Sequence, residues 1–415
     1  MAFSRDERET FSPWKKFHSR TAALAEAFAC SSLPPMPPLE LPTTCEELLA
    51  RLVSFNSVNV AFGGPETGEA DLAEEIERLS TSWGLRVQRL PVQGPRFNLL
   101  VSHDVGPDAE WLLFESHLDT VSVDGMTVPP FELTRRDDRL HGRGACDTKG
   151  SGAAMLWALR GFARSGRATR NAGLLFVLDE EARMTGAQAF AAQQLREFRH
   201  LRGIVVGEPT ALRPIVAHNG ALRWRTITRG VAAHSADPSR GRSAIREMMT
   251  VLTRLEEQFV PLATRAFPLT GCAAASINTI RGGTASNIIP DRCEITVDRR
   301  LVPGESAEEV LRQRDAALTG LDVEHDELYL APPLPPGNSS ALHAWMEPAF
   351  RALGLDPIPA GAAYATDASH YAAAGAPVLV LGPGDIAQAH TKDEWIAAAE
   401  LNRAAELYLQ ILHLP

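Results

Sequence analysis

Four short apolar runs constrain the fold of this 415-residue chain more than any other feature of its sequence. They lie at residues 111–115, 174–178, 204–206 and 378–381. Runs of this length are typical of parallel strands that helices cover on both faces. Helical patterns, such as the one at 150–162, separate the runs. The sequence therefore predicts an α/β fold with a mostly parallel sheet.

The middle of the chain follows a different pattern. Residues 221–227 and 293–299 alternate in polarity, as half-exposed antiparallel strands do. An amphipathic pattern at 244–259 predicts a long helix between them. We therefore expect an α+β domain, at residues 217–329, inserted into the α/β domain.

The remainder of the chain divides into a main α/β domain and an extension. We expect residues 43–216 and 330–415 to form the main domain around the insertion. Residues 1–42 contain one helical pattern and a proline-rich tether, and we assign this extension no role. Thr43 and Glu46 form a predicted capping box for the first helix of the main domain.

Charge and composition narrow the classes of function. The formal net charge of −10 would repel a phosphate backbone, so nucleic acid is not an expected partner. The five cysteines form no CxxC pair, which argues against a disulfide framework or a structural zinc knuckle. The charged opening residues, MAFSRDERET, do not have the pattern of a secretory signal, and no apolar run is long enough to span a membrane. We therefore expect a cytoplasmic protein with no membrane partner.

Potential metal ligands recur where the predicted strands end. These imidazoles and carboxylates are, in chain order, His117, Asp119, Glu180, Glu181, Glu208 and His390. Each one alone has an ordinary alternative, such as a solvated helix start for the two glutamates. Together, at the ligand-binding edge of one sheet, they would be electrostatically costly unless cations neutralised them. A His, Asp and Glu set without thiolates suits zinc, cobalt or manganese, and two such ions could share a bridging carboxylate.

The glycine-rich segment at 142–150, GRGACDTKG, does not match either nucleotide-binding template. The dinucleotide fingerprint needs Gly where Asp147 stands, and a P-loop needs Gly where Thr148 precedes the lysine. A carboxylate at the centre of this loop would also repel phosphate. The segment is better interpreted as a flexible approach that brings Asp147 to the metals.

Seven segments, in order along the chain, resemble motifs of the M20 metallopeptidases. This family includes acetylornithine deacetylase, succinyl-diaminopimelate desuccinylase and glutamate carboxypeptidases. The segments are SHLDTV (116–121), GRGACDTKG (142–150), DEE (179–181), GEPT (207–210), AHSADPSRGRSAI (233–245), GGTASNIIPDRCEITVDRRLVPG (282–304) and GPGDIAQAHTKDEW (382–395). They cover nearly the whole chain after Cys45, whereas the N-terminal extension has no match.

The resemblance implies a centre of two divalent metal ions, zinc or cobalt. His117 and Glu208 resemble the ligands of one ion, and Glu181 and His390 resemble the ligands of the other. Asp147 resembles the carboxylate that bridges them. The resemblance also implies a cis peptide bond after Asp147.

Further roles follow from the same resemblance. Asp119 would orient the ring of the metal-binding histidine, and Glu180 would be the general base. His234 resembles a histidine that reaches the active site of a partner subunit, which implies a homodimer through the inserted domain. Asn287 and Arg300 match positions that hold substrate, with the arginine on a carboxylate. Without the family, a surface ion pair would explain Arg300 equally well.

The C-terminal segment YATDA (364–368), followed by GPGDIAQAH (382–390), is most similar to the acetylornithine deacetylase branch, which usually carries Glu where this chain has Asp367. We therefore predict a small-molecule N-acyl amino acid as substrate, with N2-acetyl-L-ornithine hydrolysed to L-ornithine and acetate. Asp367 would pair with the ornithine ammonium, or alternatively would cap the helix that begins near Ala368. Alternative functions are a succinyl-diaminopimelate desuccinylase, an M20 dipeptidase or carboxypeptidase, and a non-catalytic binding protein of the same fold.

Overall fold

Helices and strands alternate along residues 41–415, the part of the chain that this computed structural model describes. The α-helices there are α1 (Cys45–Val53), α2 (Ala70–Ser82), α3 (Lys149–Arg164), α4 (Thr185–Gln193), α5 (Ala244–Phe259), α6 (Ala307–Ala317), α7 (Ser340–Ala352), α8 (Ala368–Ala373) and α9 (Ala398–Leu412). The strands are β1 (Arg86–Gln93), β2 (Arg96–His103), β3 (Trp111–His117), β4 (Thr134–Arg136), β5 (Arg139–His141), β6 (Asn171–Val177), β7 (Leu201–Val206), β8 (Ile215–His218), β9 (Gly220–Arg229), β10 (Ala233–His234), β11 (Ala266–Phe267), β12 (Gly271–Cys272), β13 (Ala274–Gly282), β14 (Ile288–Ile289), β15 (Arg292–Leu301), β16 (Val323–Ala331), β17 (Ala360–Ala362), β18 (Val378–Val380) and β19 (Trp395–Ala397). The predicted N-terminal helix and most of the proline-rich tether lie outside the described residues.

An eight-stranded sheet is the main layer, and it confirms the predicted α/β class. Its strand order is β1-β2-β6-β3-β7-β18-β8-β17. The four predicted apolar runs are the central strands β6, β3, β7 and β18, which are parallel to one another. The pairs β1–β2, β2–β6 and β18–β8 are antiparallel. The edge pair β17–β8 is again parallel, so four of the seven strand pairs are parallel. The sheet is therefore mixed, with more parallel than antiparallel pairs.

The central strands are buried on both faces because helices cover each side. Leu113 and Val206 face one layer, where they pack with Phe190 of α4 and Tyr371 of α8. The alternate residue Phe114 faces the other layer, where its ring lies 5.2 Å from that of Tyr408 on α9. Burying each such side chain contributes roughly 1.5–3 kcal/mol, so the sheet centre is a rigid support for the loops at its edge.

A second, four-stranded antiparallel sheet forms between Gly220 and Ala331, and we call it the inserted sheet. Its order is β13-β15-β9-β16. One face packs on α5 and α6, where Trp224, Met248 and Ile295 share a separate hydrophobic core. The helix α5 has the bounds that the sequence predicts. The opposite face of the inserted sheet contributes to the site described below.

Two other expectations concern helices and cysteines. No described helix combines the length and the apolar character needed to cross a membrane. Cys45, Cys146, Cys272 and Cys293 are free thiols. Cys30 lies among the residues that are not described.

Candidate functional site

Polar side chains lie at one edge of the sheet, where the central strands have their carboxyl ends. His117 ends β3, the Asp179 turn follows β6, and Glu208 follows β7. His390 arrives from the loop after β18. Asp179 and His390 adopt left-handed backbone conformations, with φ of 67° and 61°. Such conformations are uncommon for residues other than Gly, and they concentrate at functional sites.

Two groups of potential metal ligands meet at this edge. His117, Asp147 and Glu208 form one group, and Asp147, Glu181 and His390 form the other, with the ligand atoms of each group within 4.8 Å of one another. His117 Nε2 lies 3.1 Å from one oxygen of Asp147, and His390 Nε2 lies 3.4 Å from the other. Asp147 is therefore common to both groups. These residues fit two divalent cations that share one carboxylate.

The electrostatics of these groups also favour cations. Burial raises the pKa of Glu208, and the charge of Asp147 raises it further. Desolvation and the same charge raise the pKa of Glu181 to about 7. Hydrogen bonds to Asp147 and Glu181 raise the pKa of His390 to about 10. The carboxylates thus crowd one another in a poorly solvated space, and divalent cations would relieve that repulsion.

Glu180 belongs to neither group, although it precedes Glu181. Desolvation raises the pKa of Glu180 well above its ordinary value, against the attraction of His117 and with repulsion from Glu208. A carboxylate with a raised pKa is a stronger base than an exposed one, which suits the role that the sequence predicts.

Asp119 contacts its predicted partner differently from the expectation. The main-chain oxygen of Asp119 lies 2.9 Å from His117 Nδ1, whereas its carboxylate lies 3.6 Å away. The carboxylate instead accepts hydrogen bonds from the backbone N–H groups of Glu180 and Glu181, each at 3.0 Å, and from Asn59 Nδ2 at 2.8 Å. The main chain of Asp119 therefore orients the ring, and its side chain holds the turn that carries the two glutamates.

A cavity of about 350 Å³, which we call the site cavity, opens onto these groups. Its charged or aromatic lining residues are Asp147, Glu180, Glu181, Glu208, Arg223, Arg300, Tyr329, Tyr364 and His390. The lining thus brings the metal-binding edge of the main sheet opposite the polar face of the inserted sheet. A larger cavity of about 470 Å³ lies on the other side of Tyr329, and none of the predicted metal ligands lines it.

Two arginines of the inserted sheet share one carboxylate at the wall of the site cavity. Arg223 Nε and Arg300 Nε each lie 2.7 Å from a different oxygen of Asp298. The Arg223 guanidinium also stacks 4.8 Å from the ring centre of Tyr329. The Arg300 ion pair foreseen as an alternative thus exists, yet the arginine lines the cavity as well. The two arginines carry two positive charges and Asp298 carries one negative charge, so the group of Arg223, Arg300 and Asp298 keeps one positive charge in excess.

Residues 113–414 match the family described as Peptidase family M20/M25/M40. The chain belongs to this family. Its fold is similar to that of aminopeptidase PepT from Bacillus cereus ATCC 10987, with 22% identity and a TM-score of 0.70 over 89% of this chain and 97% of that chain. It is also similar to the M20 family metallo-carboxypeptidase Sso-CP2 from Sulfolobus solfataricus, with 17% identity and a TM-score of 0.75 over 90% and 99%. A third similar structure is the Bacillus subtilis YXEP protein, a dinuclear metal binding peptidase of the M20 family, with 14% identity and a TM-score of 0.65 over 89% and 96%.

His234 and Asn287, in contrast, lie away from the site cavity of their own chain. His234 ends β10 and Asn287 directly precedes β14, the antiparallel partner of β10, and the amide of Ser235 donates to the Asn287 carbonyl. Both side chains are exposed, and neither lines the cavity. Within one chain of this M20 protein, the structure therefore does not bring them to the metal-ligand groups.

Asp367 does not occupy either of its predicted settings. It is 1% exposed and does not line the site cavity. It precedes α8, but its side chain makes no capping hydrogen bond. Neither of its carboxylate oxygens has a hydrogen-bond partner among the described residues, and burial raises the pKa of this carboxyl group to about 8. A neutral, buried carboxyl group is consistent with this environment.

Several residues at this M20 site are absent from the sequence-based prediction. Arg223 lies in a predicted strand, two residues after Ala221, so strand periodicity places both on one face. Glu394 lies in the quoted segment HTKDEW, but nothing in that segment indicates what it contacts. Asn59 stands in an irregular stretch, and the sequence carries no signal that it reaches Asp119.

Proposed function

We propose that this M20 protein hydrolyses the amide bond of an N-acyl α-amino acid with the aid of two zinc or cobalt ions. The observation that carries the proposal is that one small cavity has a group of carboxylates and imidazoles on one side and two arginines on the other. On one side lie the two groups that share Asp147. On the other side lie Arg223 and Arg300, which suit a carboxylate.

The metal ions would be held by His117, Asp147 and Glu208 and by Asp147, Glu181 and His390. When bound, they polarise a carbonyl and lower the pKa of water. Glu180 lines the same cavity without belonging to a ligand group, so its carboxylate is free to move protons. It would accept a proton from the attacking water and donate it to the leaving amide nitrogen. Such proton transfer is typically worth about 10²–10⁴-fold in rate.

The arginine pair supports a free carboxylate on the substrate. Arg223 and Arg300 keep 38% and 36% of their side chains exposed while they share Asp298. Both arginines line the cavity, and Asp298 balances only one of their two positive charges. A substrate carboxylate would pair with the other charge, and a bidentate contact of this kind also fixes orientation.

The cavity lining gives less support for an ornithine side chain on the substrate than for a free α-carboxylate. The ornithine ammonium needs an anion at the cavity, and the buried Asp367 does not line it. N2-acetyl-L-ornithine therefore stays the candidate that follows from the C-terminal resemblance alone. A dipeptide is the second candidate, because it carries the same α-carboxylate and the similar structures include an aminopeptidase and a metallo-carboxypeptidase.

Kinetics with matched substrates tests the proposal. We expect the metal-loaded protein to hydrolyse an N-acetyl amino acid with a kcat/KM about 10–150-fold above that of the corresponding carboxamide, since a charge-assisted contact contributes about 1.5–3 kcal/mol. Arg300→Met should remove this preference. Arg229→Met is the matched control, because Arg229 lies on the same sheet and pairs with Glu324 away from the cavity.

Other outcomes would change the proposal. Equal rates for acid and carboxamide in the wild type would contradict the carboxylate contact. Faster hydrolysis of dipeptides than of N-acetyl amino acids, N2-acetyl-L-ornithine included, would replace the substrate class and leave the metal chemistry in place.

A further inference from the structure

Glu394 is a fully buried carboxylate beneath the loop that carries Asp147. It is 0% exposed, and its two oxygen atoms each accept two hydrogen bonds. One oxygen accepts from Arg143 Nη1 at 2.8 Å and from the Gly144 amide at 2.9 Å. The other accepts from the Cys146 amide at 2.8 Å and from the Asp147 amide at 2.9 Å. A carboxylate so far from water is tolerated only when its lone pairs are satisfied in this way.

These hydrogen bonds satisfy the buried carboxylate and also hold the backbone of the loop in place. Three of the four donors are backbone amides of residues 144–147, in a segment that belongs to neither a helix nor a strand. The last of these amides belongs to Asp147, the residue shared by both metal-ligand groups. The peptide bond that follows it is cis, as the family resemblance implies. The position of the shared ligand is thus directly tied to Glu394.

The same contacts join two distant parts of the site. Glu394 lies four residues after His390, and 247 residues separate it from Asp147. Its main-chain oxygen accepts from the Gly142 amide at 3.2 Å, and Arg143 Nη2 donates to the Thr391 oxygen at 3.2 Å. The segment after His390 and the loop before Asp147 are therefore attached to each other at several points.

We propose that Glu394 is a positioning residue that sets Asp147 and His390 at the spacing required for metal binding. The inference rests on the metal centre of the proposed function. Glu394 touches neither substrate nor metal. It acts through the backbone of one ligand and through its own chain connection to the other. Supporting groups of this kind typically change metal affinity by about 10–100-fold when they are mutated.

Metal affinity, measured without substrate, tests this role. Glu394→Gln keeps the shape of the side chain but sets an NH₂ group against two of the four donors. We expect it to bind zinc about 10–100-fold more weakly than the wild type in competition with a chromophoric chelator. The absorption spectrum of the cobalt-loaded variant should also change, because the ligand geometry changes with the loop.

Glu75→Gln provides the matched control. Glu75 is a buried carboxylate that accepts from Arg51 and Arg78, and it lies on α2, outside the metal-ligand groups. Its variant should lose the ion pairs of this buried carboxylate with Arg51 and Arg78 and keep the zinc affinity and cobalt spectrum of the wild type. A general effect of lost buried charge would instead weaken zinc binding in both variants, and that result would overturn the inference.

The other possible results also support or overturn the positioning role of Glu394. Zinc affinity and a cobalt spectrum of Glu394→Gln equal to those of the wild type would overturn the positioning role. If that variant does not fold, Glu394→Asp replaces it, since it keeps the charge but shortens the reach by one methylene. Weaker zinc binding by the folded aspartate variant would support the role, and unchanged binding would overturn it. Absence of zinc binding in the wild type would contradict the proposed function itself.

Discussion

Adjacent glutamates have different surroundings in this site. The amides of Glu180 and Glu181 both donate to Asp119, so one carboxylate holds the turn that carries them. Beyond that turn the side chains diverge. The Glu181 carboxylate lies 3.0 Å from His390 Nε2, in a metal-ligand group, whereas Glu180 lines the cavity outside both groups. The pair therefore separates into one ligand and one candidate base.

Replacing each glutamate with glutamine should reveal this division. Glu180→Gln should lower kcat by about 10²–10⁴-fold and leave two bound metal ions, because it removes a proton carrier and no ligand. Glu181→Gln, which differs by one position, should lose metal as well as activity. Elemental analysis beside steady-state kinetics checks both expectations. Loss of metal from the Glu180 variant would argue that this side chain is a ligand and not the base.

At the scale of elements, the sequence predicts what depends on local periodicity. The helix α5 follows from the spacing of its apolar residues, and the four central strands follow from uninterrupted apolar runs. The first helix follows too, but its capping box is one residue later than expected. Thr44 accepts from the Glu47 amide, and the Glu47 carboxylate accepts from the Thr43 amide. Either register fits the local sequence, and packing decides between them.

Contacts between distant elements are harder to foresee. The Arg223–Asp298 pair depends on the register of β9 against β15, which the periodicity of either strand alone does not specify. The antiparallel strands β1 and β2 at one edge of the main sheet escape prediction for a related reason. The edge strand β1 buries few of its residues, so it has no continuous apolar run. The candidate metal ligands, in contrast, are predictable because buried parallel strands end at one edge.

A pair of methionines on α5 tests the packing of the inserted sheet. Met248 is 0% exposed in the core beneath that sheet, and its neighbour Met249 is 63% exposed. Met248→Ala should lower the free energy of unfolding by about 2–5 kcal/mol, because it leaves a cavity. Met249→Ala should change it by less than about 0.5 kcal/mol. Urea denaturation of both variants measures the difference, and equal midpoints would contradict the described core.

At the scale of the whole molecule, the exposed residues beside the β10–β14 pair support the proposal of a homodimer. His234 and Asn287 are remote from the cavity of their own chain, so a catalytic role for them needs a second subunit. The inserted sheet also has an edge strand, β13, on which Ile280 is exposed, and Ile288 on β14 is a second exposed apolar side chain. An unpaired edge with apolar neighbours is suited to association with another chain.

Subunit mixing tests this proposal. His234→Ala and Glu180→Ala proteins should each have very low activity alone. After subunit exchange, one composite site in the mixed dimer would carry both residues, so part of the activity should return. A lack of recovery despite measured exchange would argue that His234 does not act across an interface.

The dependence of activity on bound metal is the most direct test of a two-metal amide hydrolase. The protein is stripped with a chelator, its metal content is measured, and zinc or cobalt is titrated back while hydrolysis of an N-acetyl amino acid is followed. We expect no turnover in the stripped protein and recovery that is complete at two ions per chain, because His117, Asp147, Glu181, Glu208 and His390 form two ligand groups. Full activity in protein shown by elemental analysis to be free of metal would contradict the proposed function.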